Sequence, residues 1–156
     1  MNITLKPIAT IKNSRKSPVD DNWSDVVSEI ELSENIPIEA FNHISDFSHL
    51  DILFYFDKVN DEDIVFSARP RGNPDYPVVG IFGQRKKDRP NKIGLCTVEL
   101  IKHAGRILTV KSLDAIDGTP VIDIKPVFKE FQAVGNIKQP DWVSALMKNY
   151  WSSIEK

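Results

Sequence analysis

The 156-residue sequence contains a single cysteine, Cys96, which excludes an internal disulfide and is typical of proteins from a reducing compartment. Its three histidines, His43, His49 and His103, lack the spacing of metal ligands, so we expect no metal site. No apolar run approaches the roughly 20 residues of a membrane-spanning helix. The first residues also lack the apolar stretch of a signal peptide. We therefore expect a cytoplasmic protein.

Three well-known active-site motifs are also missing. No Gly-x-Gly-x-x-Gly follows an apolar strand, so no Rossmann dinucleotide site is indicated. The sequence likewise has no phosphate-binding P-loop and no Gly-x-Ser-x-Gly nucleophile elbow. Any nucleotide-like ligand must therefore bind through some other arrangement.

The net charge of −2 conceals an uneven distribution of charge along the chain. The first 78 residues carry 7 Lys/Arg and 14 Asp/Glu, whereas the rest carry 13 and 8. A basic second half could face phosphate groups. Alternatively, the two halves interleave within one folded domain spanning residues 1–156, and the asymmetry disappears.

Strand signals dominate the hydrophobic pattern. We predict strands over residues 3–11, 26–32, 50–56, 78–82, 93–101 and 107–113, because these runs are rich in β-branched and aromatic residues. Hairpin or turn signals occupy residues 102–106 and 117–120. Helix signals are limited to a short stretch at 37–41 and a C-terminal stretch at 140–151. The predicted fold is mainly β, a single closed or nearly closed antiparallel β-barrel with a few short helices and a C-terminal helix.

Residues 80–95 contain a loop with a high density of cations between two apolar runs. The loop carries Arg85, Lys86, Lys87, Arg89 and Lys92, with the rigid Pro90 and Asn91 at its centre. Arginine forks grip phosphate or carboxylate with two hydrogen bonds, so the loop suits an anionic ligand. The alternative is a solvated hairpin tip. A second short basic turn around Arg71 could hold the same ligand or be an ordinary loop.

Residues 113–126 alternate acidic and apolar positions. Asp114 and Asp117 are plausible acceptors for a ribose diol or an ammonium group, although Asp117 precedes glycine and could serve only the turn. Asp123 and Lys125 share one face of a strand, where they could pair with arginines or form a structural ion pair.

Four blocks together make the sequence resemble a known family, the TrmO- or TsaA-like β-barrel methyltransferases. The blocks are residues 47–56 (FSHLDILFYF), 70–72 (PRG), 80–94 (GIFGQRKKDRPNKIG) and 113–126 (LDAIDGTPVIDIKP). The resemblance runs from about residue 7 to 131, and the ending at 140–151 is similar to that of the family's short form, which lacks an extra C-terminal domain. Members of the longer form N6-methylate threonylcarbamoyladenosine at position 37 of tRNA.

The resemblance implies a barrel that binds S-adenosylmethionine, commonly as a homodimer. Carried over by position, the cofactor contacts would be Asp57, Lys58, Lys86, Leu95, Ser112, Leu113, Asp114 and Ala115. The substrate or RNA contacts would be Arg71, Arg85, Lys87, Arg89, Asn91 and Lys92. Asp57 or Asp114 is the candidate proton acceptor, with a backbone carbonyl as the alternative.

Three positions depart from the family pattern: Asp57 replaces a common histidine, Gly83 a common alanine, and Lys92 a common proline. Three functions therefore stay open. The protein methylates tRNA, or methylates a small molecule or another RNA, or binds the cofactor or RNA without catalysis. The C-terminal helix could cap its own barrel or contact a second subunit.

Overall fold

Six strands close into an antiparallel barrel in the computed structural model, which describes residues 1–153. The strands of the chain are β1 (Ala9–Lys12), β2 (Val27–Leu32), β3 (His49–Tyr55), β4 (Ser67–Ala68), β5 (Val79–Gly80), β6 (Ile93–Ala104), β7 (Ile107–Lys111) and β8 (Pro120–Pro126). The order around the barrel is β1-β2-β7-β6-β3-β8, and β8 pairs with β1 to complete the ring. The predicted fold class is confirmed. In the described part of the chain, no helix is long and apolar enough to span a membrane.

The barrel interior follows from the two-residue period of its strands. On β3, Leu50, Ile52 and Phe54 are buried, whereas the residues between them are partly exposed. Each such side chain contributes about 1.5–3 kcal/mol when it leaves water. Gly94 lies opposite Phe54, and a Cβ at this position would lie 2.4 Å from a ring carbon of Phe54. The start of β6 therefore needs glycine so that the Phe54 ring can lie across it.

Some predicted strands differ from the observed ones in extent. The strand expected over 3–11 begins only at Ala9. The residue before it, Ile8, is the first to form backbone hydrogen bonds with the neighbouring segments, through Val121 and Ser33. The strand expected over 78–82 is reduced to β5, because β5 pairs only with the two-residue β4 outside the barrel. In contrast, β6 runs on to Ala104, so the predicted hairpin turn narrows to residues 105 and 106.

The C-terminal helix is shorter than predicted. The helix α1 spans Asp141–Leu146, and turns follow it. The backbone N–H groups of Asn22 and Trp23 donate to the carbonyls of Asn149 and Tyr150, at 3.1 and 2.9 Å. The C-terminal segment, residues 141–153, therefore contacts the loop between β1 and β2 of its own chain, and its contact with a second subunit stays a prediction. The helix predicted at 37–41 is present as a 3-10 turn, Ile38–Phe41.

Candidate functional site

The start of β6 and the segment that follows β7 lie side by side and form the centre of the candidate site. The Cys96 thiol donates to the carbonyl of Ser112, with 3.3 Å between sulfur and oxygen. Ser112 has a left-handed backbone (φ 66°), and its hydroxyl donates to the carbonyl of Ser24 at 2.7 Å. This turn ends the β7 ladder and directs the following residues across the barrel end.

The segment 112–115 alternates between core and surface. Leu113 and Ala115 are buried in the barrel core, whereas Asp114 between them is only partly buried. The carbonyl of Ala115 accepts a hydrogen bond from the Asn13 side chain at 2.8 Å. Two core anchors and this hydrogen bond therefore fix the backbone on both sides of Asp114.

Asp114 is the most unusual ionisable group of the site. Its Oδ2 accepts a hydrogen bond of 2.6 Å from the Tyr150 hydroxyl, whereas its Oδ1 is buried and has no hydrogen-bond partner within the described chain. Burial raises the pKa of Asp114, whereas the hydrogen bond from Tyr150, the nearby Cys96 thiol and the positive charge of Arg85 lower it; the thiol's own hydrogen bond goes to the carbonyl of Ser112 and not to Oδ1. A buried oxygen that lacks a donor in the folded chain is rare and suits a site that receives a ligand.

The neighbours of Asp114 stay neutral or positive. Burial raises the pKa of the Cys96 thiol and that of the Tyr150 hydroxyl, and the charge of Asp114 raises both further. Arg85 is exposed, and its guanidinium donates to the carbonyl of Leu95 at 2.5 Å. Arg85, Leu95, Cys96, Ser112 and Asp114 are therefore linked around the start of β6, so the structure joins residues that the sequence placed in separate motifs.

The cations of the basic loop largely bond within the chain. Lys86 and Lys87 form ion pairs with the same carboxylate, that of Asp88, at 3.1 and 2.6 Å. Burial would raise the pKa of Asp88, but the hydrogen bonds from Lys87 and Lys86 lower it below its usual range. Arg89 donates to the carbonyl of Gln84 at 2.9 Å. These contacts hold the loop in shape and leave Lys87 half exposed, with a side-chain exposure of 48%.

Lys92 is buried, in contrast to the lysines of the same loop. Its ammonium donates to the carbonyl of Val59 at 2.7 Å and to the carboxylate of Asp61 at 2.5 Å. Only 8% of the residue is exposed. Asn91 and Lys92 both have left-handed backbones, at φ 63° and 51°. The predicted phosphate contact of Lys92 would require the ion pair with Asp61 to open.

The remaining predicted basic contact, Arg71, is tied to the N-terminal part of the chain. Its guanidinium forms an ion pair with Asp21 at 2.8 Å and lies 3.7 Å from a carboxylate oxygen of Asp20. Its backbone is left-handed, with φ 51°. An RNA phosphate would therefore compete with two carboxylates for this side chain.

Asp57 and Lys58 form a pair of their own at the end of β3. The Lys58 ammonium lies 2.9 Å from the Asp57 carboxylate, and both residues are exposed. The end of β3 is tied to the start of β6, because the Phe56 N–H donates to the carbonyl of Lys92 at 2.8 Å. No contact between Asp57 and the Asp114 cluster is present in the described residues.

The other acids of the 113–126 run serve the fold. Asp117 accepts hydrogen bonds from Lys16 and from the Asn13 backbone, and both lower its pKa. Asp123 pairs with Lys125 at 2.7 Å, so its partner is a lysine on the same strand and not an arginine. Both acids therefore stabilise the fold through contacts within the chain, which is the structural alternative to ligand binding given for each of them above. Among the described residues, no group of three or more His, Cys, Asp or Glu is arranged to hold a metal ion.

Sequence reasoning missed two members of the cluster, Tyr150 and Cys96. Tyr150 belongs to an apolar stripe with helical spacing, but it lies in a turn beyond α1. Nothing in the pattern connects it to Asp114, which is 36 residues away. Cys96 alternates with exposed residues on β6 and so reads as a core residue.

Together, the closed ring and the Asp114 cluster define a small β-barrel domain with a polar site beside the start of β6. Residues 9–133 match the family model described as the tRNA-methyltransferase O N-terminal domain. The chain belongs to this family.

Named relatives and a solved structure agree with this assignment. An Archaeoglobus fulgidus protein named "Probable S-adenosyl-L-methionine-binding protein" is 36% identical over 142 residues, which cover 88% of this chain and 37% of the relative. The tRNA (adenine(37)-N6)-methyltransferase of Escherichia coli is 40% identical over 92 residues, 56% of this chain and 39% of the relative. The crystal structure of TrmO from Pseudomonas aeruginosa superposes with a TM-score of 0.71 at 25% identity, and covers 88% of this chain and 62% of that chain. The chain thus spans less than two thirds of each of these proteins.

Proposed function

We propose that this chain is an S-adenosylmethionine-dependent methyltransferase that N6-methylates threonylcarbamoyladenosine at position 37 of tRNA. The observation that carries the proposal is the family match, which spans residues 9–133 and includes both the basic loop and the segment 112–115. An E. coli relative named tRNA (adenine(37)-N6)-methyltransferase is 40% identical over 92 residues, which supports this proposal. The residue roles below are part of the proposal.

The cofactor fits the Asp114 cluster in its chemistry. S-adenosylmethionine, when bound, supplies an electrophilic methyl group on a positively charged sulfur, and it also carries an ammonium group and a ribose diol. Asp114 has a carboxylate oxygen without a donor, which the ammonium group or a ribose hydroxyl would satisfy. Leu95, Ser112, Leu113 and Ala115 would form the adjoining wall, and Lys86, Asp57 and Lys58 would reach the cofactor from the loop and the end of β3.

The chain's own residues would contribute positioning and proton transfer. An exocyclic adenine amine is a poor nucleophile, so it must be held about 3–3.5 Å from the methyl group in line with the bond that breaks. The proton of the amine leaves at or after that step. Asp114 is the candidate acceptor inside the cluster because burial raises its pKa, whereas Asp57 is paired with Lys58 at the end of β3.

RNA binding would use the exposed side of the basic loop. Lys87 and Arg89 would meet phosphates, with Arg85 and Asn91 near the modified base. Arg71 and Lys92 would contribute only after release from Asp21 and Asp61. Since phosphate contacts release counterions, the affinity for tRNA should fall steeply as salt is added.

A methyl-transfer assay tests the proposal. The purified chain is incubated with methyl-labelled S-adenosylmethionine and tRNA that carries unmethylated threonylcarbamoyladenosine at position 37, and the nucleosides are separated by mass. The matched control is the same tRNA without the threonylcarbamoyl group. We expect label in the modified adenosine of the first tRNA only. Cofactor binding with no label in either tRNA would reject the proposed substrate, and no cofactor binding would reject the function as a whole.

A second candidate function, cofactor binding with a different acceptor or with none, has one observation in its favour. Three of the predicted RNA contacts, Arg71, Lys87 and Lys92, pair with carboxylates of the same chain, as does the predicted cofactor contact Lys86. The A. fulgidus relative is also named only for binding S-adenosylmethionine. Label transfer to a purified metabolite and not to tRNA would support this reading.

The assembly and compartment belong to the same proposal. We expect a homodimer in the cytoplasm, with residues 1–156 folding as one domain. Light scattering of the purified chain measures the subunit number directly. A monomeric mass at assay concentrations would remove the homodimer from the proposal without affecting the cofactor site.

A further inference from the structure

The C-terminal segment meets the proposed cofactor segment at a defined contact, the hydrogen bond from Tyr150 to Asp114. The hydroxyl of Tyr150 lies 2.6 Å from Oδ2 of Asp114. The backbone of the same residue is fixed, since its carbonyl accepts from Trp23 N at 2.9 Å and the carbonyl of Asn149 accepts from Asn22 N at 3.1 Å. Tyr150 is therefore held to the barrel at both its backbone and its hydroxyl.

The hydrogen bond from Tyr150 leaves the two oxygens of Asp114 unequal. Oδ2 is satisfied by Tyr150, whereas Oδ1 is buried without a hydrogen-bond donor from the described residues. Taking a carboxylate oxygen from water without a donor is unfavourable, unless a ligand supplies that donor. Because Tyr150 fixes one oxygen, it also sets the direction of the other.

We propose that Tyr150 is a positioning residue of the cofactor site: it holds Oδ2 of Asp114 and so directs Oδ1 to a hydrogen-bond donor or the positive charge of S-adenosylmethionine. The inference rests on the proposed function, because it requires Asp114 to contact the cofactor. The C-terminal segment, which lies outside the residues 9–133 matched by the family model, would then contribute a residue to the cofactor site.

The pH dependence of binding separates positioning from simple packing. The groups that act on Asp114 are Tyr150, Cys96 and Arg85, and of these only Arg85 is charged near neutral pH. The hydrogen bond from Tyr150 favours the ionised form of Asp114. Without it, Asp114 should ionise at higher pH, and cofactor binding should be lost at a correspondingly higher pH.

The test is calorimetric titration of the whole protein with S-adenosylmethionine between pH 4 and 9. The variants are Tyr150→Phe, Asp114→Asn and the double variant, with Tyr76→Phe as the matched control. Tyr76 also packs against the C-terminal segment, with 6.2 Å between the centroids of its ring and that of Trp142. It makes no contact with Asp114 among the described residues. Thermal melts verify that each variant is folded.

We expect Tyr150→Phe to bind about tenfold more weakly near neutral pH. We also expect the acidic limb of its binding curve to move to higher pH. Tyr76→Phe should match the wild type, and Tyr150→Phe should add less than about twofold to the loss in the Asp114→Asn background, because both act on one interaction.

Several outcomes overturn the inference. Unchanged or tighter binding by Tyr150→Phe does so, and tighter binding would mean that the contact excludes the cofactor. An equal loss at every pH that persists in the Asp114→Asn background would mean that Tyr150 only packs. No binding by the wild type would instead reject the proposed function, and the inference with it.

Discussion

Lys92 is buried and Asp114 is partly buried, both near the start of β6, and their polar atoms are satisfied to different degrees. The Lys92 ammonium has a carbonyl and a carboxylate as acceptors, from Val59 and Asp61. The carboxylate of Asp114 has a donor for one oxygen and none for the other. A satisfied buried charge is explained by the fold, whereas an unsatisfied one requires a ligand or another purpose. Lys92 therefore has a structural role in the fold whether or not it also meets RNA, whereas the unpaired oxygen of Asp114 is what the proposed cofactor site depends on.

The largest expected effect is on cofactor binding by Asp114→Ala. Removing a carboxylate that accepts from the ligand should weaken binding of S-adenosylmethionine roughly 30- to 100-fold in calorimetry. The free energy of unfolding should change by less than about 1 kcal/mol, because the loss of the acceptor for Tyr150 is offset by removal of a buried oxygen without a donor. Unchanged affinity in this variant would mean that the cofactor binds elsewhere. The unpaired oxygen of Asp114 would then have no ligand-binding role.

The complementary change, Lys92→Met, should lower the stability of the fold and leave cofactor binding unchanged, the opposite of what we expect for Asp114→Ala. It keeps the length of the side chain but leaves the carbonyl of Val59 without its donor and Asp61 without its cation. We expect a lower urea midpoint and unchanged affinity for S-adenosylmethionine. Lys87→Met serves as the control, since that lysine is half exposed and should leave the midpoint nearly unchanged. A loss of cofactor affinity in folded Lys92→Met would assign this lysine to the site.

The smallest expected effect is a difference in how stability depends on pH. The pKa of Asp114 is raised by burial, so its contribution to stability is fully present below its unfolded pKa of about 3.9 and is lost as the pH rises through its folded pKa. The pKa of Asp61 is lowered by Lys92, so its contribution is present above that value and is lost on acidification.

Urea unfolding at pH 2.5 and pH 7 measures both contributions. Relative to the wild type, Asp114→Asn should be more stable at pH 7 than at pH 2.5, and Asp61→Asn should be less stable at pH 7 than at pH 2.5. Parallel behaviour of the two variants would mean that the two carboxylates have similar environments after all.

The fold could be predicted from the sequence because its signal is local. Alternation on β3 identifies Leu50, Ile52 and Phe54 as interior residues without any knowledge of their partners. The errors occur where pairing decides the outcome. Residues 3–8 have strand-like composition, yet Ile3 and Leu5 remain exposed and the strand starts only where β2 and β8 are available.

The candidate site was less predictable because its contacts join distant side chains. The basic loop reads as a set of free cations, but the pairs of Lys92 with Asp61 and of Arg71 with Asp21 are separated by 31 and 50 residues. The family resemblance identified Asp114 by position, but neither composition nor spacing revealed Tyr150 as its partner. Side-chain pairing over such distances depends on the final packing, which periodicity does not encode.

The closure of the barrel between β1 and β8 has a consequence for the synthesis of the protein. The two paired positions that seal the ring, Ala9 with Val121 and Thr10 with Pro120, join the first strand of the chain to its last. On the ribosome, β1 therefore waits for its second neighbour until nearly the entire domain has emerged. Such non-local closure slows folding and lengthens the time for which strand edges stay open to other chains. A nascent chain stalled before β8 would accordingly be the form most prone to aggregation.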